Sequence, residues 1–176
     1  MKRLLGLGFI LCMMVFMVSS SKGQIHLQGT VGVKAPLGDF GTVTNINSGG
    51  SMTATFRAMM GDQIGVGANL GVNKIGNSWL IPLTGLFEYH FPVSIVTAYG
   101  GMDMGFYLWN YRYFAAPHLG SVATTRLCFG FAPTTGAIYK FNDMLSFTAG
   151  GKGHFWFRDG MRFAMGLNAG VIYTLK

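Results

Sequence analysis

The side chains able to do chemistry are few and widely spaced. Four histidines occur, His26, His90, His118 and His154, together with six carboxylates, Asp39, Asp62, Glu88, Asp103, Asp143 and Asp159. No two histidines stand in an H-x-x-x-H spacing, which would put two metal ligands on one helix face. A metal site built from His26, His90 and His154 would need the fold to assemble it, and a hydrogen-bonded structural histidine is the plainer reading of each. No metal or other cofactor is expected. Nucleophilic catalysis by serine needs a histidine within hydrogen-bond reach. Ser146 is eight residues from His154, which along a strand at ~3.3 Å per residue is more than about 25 Å. The run Gly65-x-Gly67-x-x-x-Gly71 has the glycine density of a phosphate-binding loop. Such loops join a strand to a helix, whereas this run lies inside an alternating stretch, where glycine makes room.

The elements that position these groups are strands. From Gln63 to Asn73 the even positions are Ile64, Val66, Ala68, Leu70 and Val72, while the odd positions are polar or glycine. From Met161 to Leu175 every odd position is apolar or aromatic. Successive side chains of a strand point to opposite faces, so each segment has one apolar face and one polar or tiny face. Turn residues divide the chain into eight predicted strands near 24–33, 51–60, 63–73, 79–91, 95–112, 124–141, 144–157 and 161–175. Tight turns are expected at Gly61-Asp62, Phe91 to Ser94 and Asn142-Asp143, with a short hairpin at Arg158-Asp159-Gly160. Longer connections are expected at Lys34 to Gly50, Lys74 to Ser78 and Phe114 to Ala123. Long and short connections then largely alternate, as in an antiparallel barrel with turns on one rim and loops on the other.

Charge decides which face points outward. Asp39, Asp62, Asp143 and Asp159 lie in predicted turns or loops; only Glu88 and Asp103 lie mid-strand, both on the polar face. Arg57, Lys152 and Arg162 share faces with Thr55, Thr148 and Asn168. A water-exposed barrel surface would carry far more charge, so the polar face is read as a packed lumen and the apolar face as a lipid contact. In hydrocarbon every backbone N–H and C=O must be paired internally, which only helices and closed barrels achieve. Eight strands leave an interior narrow enough for side chains to fill. The fold class expected is all-β, an eight-stranded antiparallel transmembrane β-barrel. Arg57, Glu88, Asp103, Lys152 and Arg162 come from five different strands and point inward by phase. Buried charges persist when paired, so these five are expected to form an ionic and hydrogen-bonded plug.

Composition agrees. Of 176 residues, 50% are hydrophobic and 11% charged, against roughly 25% charged in ordinary soluble domains. That combination excludes a disordered chain. The only long apolar run, Leu4 to Val18, follows Met1-Lys2-Arg3 and precedes Ser21 and Gly23. It falls short of the ~20 residues a membrane-spanning helix needs and reads as a signal peptide, residues 1–23, cleaved before Gln24. Residues 24–176 form the barrel domain. Removing Lys2, Arg3 and Lys22 lowers the formal net charge from +7 to +4. The remaining bases are scattered, which argues against a nucleic-acid partner. Cys12 lies in the signal, so Cys128 has no intramolecular disulfide partner.

The succession of a strand and Pro36-Leu37-Gly38-Asp39-Phe40, then alternating hairpins, then Ala98-Tyr99-Gly100-Gly101-Met102-Asp103-Met104-Gly105-Phe106-Tyr107, and a last strand ending Val171-Ile172-Tyr173-Thr174, resembles the small outer-membrane β-barrel domain of OmpA/OmpX-like proteins. The resemblance covers the whole mature chain and rests on pattern. It implies an outer-membrane location with both termini in the periplasm, outer-membrane lipid and lipopolysaccharide as surroundings, and the barrel-assembly machinery as a partner during insertion. Such barrels usually end in an aromatic residue; this chain ends Leu175-Lys176, with Tyr173 on the matching face.

Function is therefore expected to be structural or interactive, a surface display on a porin-like wall with a filled lumen, and not enzymatic. Tyr111, Arg112, Tyr113 and Arg126 flank the Phe114–Ala123 connection and are candidates for contact with lipopolysaccharide phosphates or a partner, a girdle being the alternative. Three other functions compete: a narrow channel for ions or small solutes, a lipid-modifying outer-membrane enzyme, and a soluble lipocalin-like carrier.

Overall fold

The computed structural model describes residues 23–37, 48–76, 78–116, 120–157 and 160–175. Residues 1–22 of the expected signal peptide, and Asp39, His118, Arg158 and Asp159, lie outside the described residues. Eight strands follow one another: β1 Ile25–Leu37, β2 Gly49–Met60, β3 Ile64–Ile75, β4 Ser78–Val93, β5 Val96–Ala116, β6 Gly120–Lys140, β7 Leu145–Phe157 and β8 Met161–Leu175. Each pairs antiparallel with its neighbour in sequence, and β8 returns to β1 with Ile25 opposite Leu175. Closure satisfies the edge backbone groups that an open sheet would expose.

The alternation in sequence becomes an inverted burial pattern. In β3, Gly65, Asn69, Gly71 and Asn73 are buried while Ala68, Leu70 and Val72 are exposed. Leu83, Met104 and Leu167 are 58%, 55% and 68% exposed on other strands. A soluble barrel has the opposite arrangement; an apolar outer wall around polar contents is the signature of a barrel solvated by hydrocarbon. Among the described residues no helix is long and apolar enough to cross a membrane; the strands are what span it.

Three connections differ from expectation. β1 continues through Lys34 to Leu37 and β2 begins at Gly49, so Lys34 belongs to the wall, not to a loop. β3 and β4 are joined by the tight turn at Gly76, whose φ of 60° suits glycine. β5 and β6 run on to Ala116 and from Gly120. Lys34 reads as loop because strand rules assume a polar face toward water, whereas here the polar face turns into the lumen. The asymmetry between the rims resides mainly in strand length. β5 and β6 have 21 residues each against 13 for β7. β4 pairs with β5 only as far as Asn110, and β7 reaches β6 only at Phe129. Residues 111–116 and 120–128 consequently project beyond the wall as a two-stranded ribbon, away from the rim that carries both termini.

Two apolar clusters close the lumen. Near the ribbon rim Ile75, Leu80, Tyr107, Trp109, Cys128 and Trp156 pack together with Ala164. Near the terminal rim Tyr99, Ile138 and Ile172 do so. Tyr99 needs glycine opposite it: a Cβ on Gly136 would stand 2.6 Å from the tyrosine oxygen, and one on Gly150 2.7 Å from it. The ladders are interrupted at two places, opposite Pro82 between β3 and β4 and opposite Pro133 between β6 and β7. Proline lacks the N–H that a ladder needs.

Candidate functional site: the packed lumen and the projecting ribbon

Between the two apolar clusters lies a layer of charge. Arg57 on β2 and Glu88 on β4 are 1% and 4% exposed, with Nη2 2.7 Å from Oε2. Arg57 Nη2 also donates to Gln28 Oε1 at 2.9 Å, and Glu88 Oε2 takes His90 Nε2 at 3.1 Å. On β5, Asp103 is fully buried and pairs with Lys152 of β7. Asn69 Nδ2 donates to the same Asp103 oxygen at 2.6 Å, and Thr55 Oγ1 donates to Asn69 Oδ1. A third group stands beside these pairs. Lys34 Nζ donates to His154 Nε2 at 2.7 Å, and His154 Nδ1 lies 3.4 Å from the Tyr107 hydroxyl. Lys34 and Lys152 occupy one rung on either side of Gly166. Any Cβ at Gly166 would collide with the Lys34 stem.

Four of the five residues expected in the plug thus meet as two ion pairs. Arg162 does not join them: it is half-buried near the ribbon rim, opposite Trp156 in the ladder. Lys34, Asn69 and His154 are members that sequence reasoning left out of the network. A signal existed for Lys34. It continues the even-numbered polar series of β1, His26, Gln28, Thr30 and Gly32, which all face inward.

A polar cavity of about 30 Å³ remains beside the pairs, lined among others by Gln28, Thr53, Arg57, Tyr99, Lys152 and Asn168. Its size is that of one or two water molecules at ~10–15 Å³ each, far below an open passage. The chemistry available is ionic and hydrogen-bonding. Among the described residues no three metal-ligating side chains converge. His90 and His154 are held by Glu88 and by Lys34 with Tyr107, and Ser146 sits opposite Lys140 near the terminal rim, remote from His154.

The four residues expected around a surface loop lie on the ribbon strands. Tyr111 stacks on Trp109 with ring centroids 4.3 Å apart, so it caps the apolar cluster. Arg112 and Tyr113 continue β5, and Arg126 of β6 is exposed opposite Trp109. On the outer wall, between the levels of Arg112 and Arg126, one rung runs Lys74, Trp79, Asn110, Thr125. Lys74 Nζ lies 5.2 Å from the Trp79 ring centre, and Asn110 Nδ2 donates to Thr125 Oγ1 at 2.8 Å. Leu83, Leu108 and Leu127, one or more rungs lower, are all exposed apolar residues. This rung marks where the apolar band ends, the level of the interfacial girdle in such barrels.

No family model matches the sequence, and no curated protein matches it. Solved structures do resemble it in shape. Neisserial surface protein A is 14% identical, with a TM-score of 0.69 over 86% of this chain and 99% of that one. Ail, the attachment invasion locus protein of Yersinia pestis, is 12% identical, with a TM-score of 0.59 over 87% of this chain and 99% of that one. The N-terminal β-barrel domain of Pseudomonas aeruginosa OprF is 13% identical, with a TM-score of 0.55 over 86% of this chain and all of that domain. The likeness is one of fold, and it agrees with the resemblance to OmpA/OmpX-like proteins: the chain has the architecture of the small eight-stranded outer-membrane barrels.

Proposed function

We propose that this chain is an outer-membrane protein with a filled lumen whose role is structural and interactive, the β5–β6 ribbon presenting the contact surface. The observation that carries the reading is the ribbon itself: residues 111–116 and 120–128 extend past the last rung shared with β4 or β7. Such an extension adds nothing to closing the wall. It carries Arg112 above the girdle rung, with Arg126 one rung below it, where a negatively charged surface glycan or lipopolysaccharide phosphate would meet them. Two named neighbours are a surface protein and an attachment protein, and Ail has a crystal structure with the heparin analogue sucrose octasulfate. Residues 1–23 then serve as the removed signal, and the barrel-assembly machinery inserts the mature chain.

The test is to replace residues 112–125 by a tight turn. The trimmed barrel keeps its heat-modifiable gel mobility and loses adhesion of expressing cells to sulfated-glycan surfaces. Retained adhesion overturns the assignment to the ribbon. Steady conductance steps from the intact protein in planar bilayers would instead favour the narrow channel.

A further inference from the structure

We propose that the two turns joining β4 to β5 and β6 to β7 are seated in the phospholipid interface at the terminal rim, an anchor built into one side of the barrel. Three observations converge on it. The first is composition. A turn facing water is normally polar, since Gly, Asn, Asp and Ser suit its backbone. The two-residue hairpin Ser94-Ile95 is instead flanked by Val93 and Val96, and Ile95 is 64% exposed. In the turn from β6 to β7, Phe141 is 62% exposed and Met144 is exposed as well. The turn from β2 to β3 differs, with Gly61, Asp62 and Gln63 at its exposed tip. The terminal rim is therefore uneven around its circumference, apolar at these two turns and polar at β2–β3.

The second is continuity with the lipid-facing wall. One outward rung runs Val93, Val96, Tyr139, Phe147, Val171, all of them exposed and none charged. The turns hang directly from it. Lys140 N–H donates to Ile95 C=O at 3.2 Å, and Phe141 meets Phe147 edge to face with ring centroids 6.0 Å apart. The Tyr173 hydroxyl of β8 donates to Met144 Sδ at 3.6 Å. The apolar tips thus extend the surface that hydrocarbon solvates, and what covers that surface covers them.

The third is that the β6–β7 turn leaves little for water to satisfy. Phe141 and Asn142 N–H both donate to Leu145 C=O, at 3.1 and 3.0 Å, and Thr174 N–H donates to Met144 C=O at 2.8 Å. Met144 and Leu145 N–H both donate to Asn142 Oδ1, at 2.9 and 2.7 Å. Unpaired backbone groups are what bar irregular chain from water-poor surroundings, and here they are paired within the fold. The two charges of the turn, Lys140 and Asp143, pair with each other at 3.0 Å. The long stem of Lys140 lets this pair stay in the hydrated headgroup layer, beside lipid phosphate, while Phe141 and Ile95 reach the acyl chains.

The experiment uses the full mature barrel with Cys128→Ala, reconstituted in phosphatidylcholine vesicles. An environment-sensitive dye on Ser94→Cys reports the apolar tip, and the same dye on Gln63→Cys reports the polar turn. Lipid brominated near the top of its acyl chains should quench the dye at 94 more strongly than the dye at 63, and aqueous iodide should do the reverse. Equal access of iodide to both dyes overturns the proposal. So does shielding of the dye at 94 from both quenchers, which would place a protein partner there. Without labels, Ile95→Asp should raise the unfolding equilibrium constant in vesicles about tenfold, as apolar contact with the acyl chains is lost, and Gln63→Asp should leave it unchanged. An I95D barrel as stable in vesicles as the unmodified one also overturns the seating. Either measurement decides alone if a variant needed for the other fails to fold.

Discussion

Arg57 and Glu88 meet across an intervening strand: the guanidinium of β2 reaches past β3 to the carboxylate of β4, 2.7 Å away. Glycine makes the path. Gly65 is the ladder partner of Glu88, and a Cβ there would stand 2.9 Å from Arg57 Cδ. Gly65 and Gly67, part of a run that resembles a nucleotide-binding loop in sequence, are therefore the floor over which a buried ion pair is laid.

Breaking that pair from one side should be severe. Glu88→Ala strands the Arg57 charge inside the wall, where loss of one partner of a buried pair costs about 3–5 kcal/mol. Urea titration in lipid bilayers should show a much lower midpoint. An unchanged midpoint would mean that Arg57 finds water without Glu88.

The exposed pair supplies the contrast. Lys140 and Asp143, 3.0 Å apart, are 62% and 72% exposed at the terminal rim. Solvent screening leaves such pairs worth less than about 1 kcal/mol. Asp143→Asn should move the same midpoint hardly at all, and a shift comparable to that of E88A would contradict the burial argument.

Trp156 is the largest fully buried side chain and part of the cluster that closes the ribbon end. Trp156→Ala should cost about 3–5 kcal/mol, the range for deleting a buried aromatic. It should also lower the resistance of the lumen, seen as more frequent or larger conductance events than in the unmodified barrel. Stability lost without any new conductance would show that the charged layer alone blocks the passage.

Tyr99 is wedged against Gly136 and Gly150. Gly136→Val places a branched side chain against both the tyrosine oxygen and the β7 backbone, and overpacking of this kind costs about 1–3 kcal/mol. The double variant with Tyr99→Ala should recover part of the loss, and a double-mutant cycle on the unfolding midpoints reads that coupling. Strict additivity would place the strain in the backbone alone.

Pro133 interrupts the β6–β7 ladder in the lipid-facing wall. Pro133→Val keeps the surface apolar and restores an N–H, which is worth about 0.5–1.5 kcal/mol when bonded. Unfolding should slow accordingly in a gel-shift time course. Faster unfolding would mean that the proline's fixed φ contributes more than the missing bond.

How much of this was legible beforehand follows from what a period of two can and cannot encode. Alternation in β3 and β8, with Asp62 and Asp143 confined to turns, identified strands, their number and the outward face, because each strand's two faces meet different solvents. The placement of Arg57, Glu88, Asp103 and Lys152 inside follows from the same phase. Phase says nothing about height or about which strand lies across the lumen. Only the closed register set Arg57 beside Glu88, put Lys152 with Asp103 and left Arg162 near the rim. Lys34 was missed as strand for a related reason: sequence alone treats a polar residue as solvent-seeking, and the tertiary structure supplies polar surroundings inside the wall. The sequence thus determined the barrel and its inside-out solvation, local properties of each strand. Ladder closure decided the partners, since pairing across a lumen depends on register between strands that are distant in the chain.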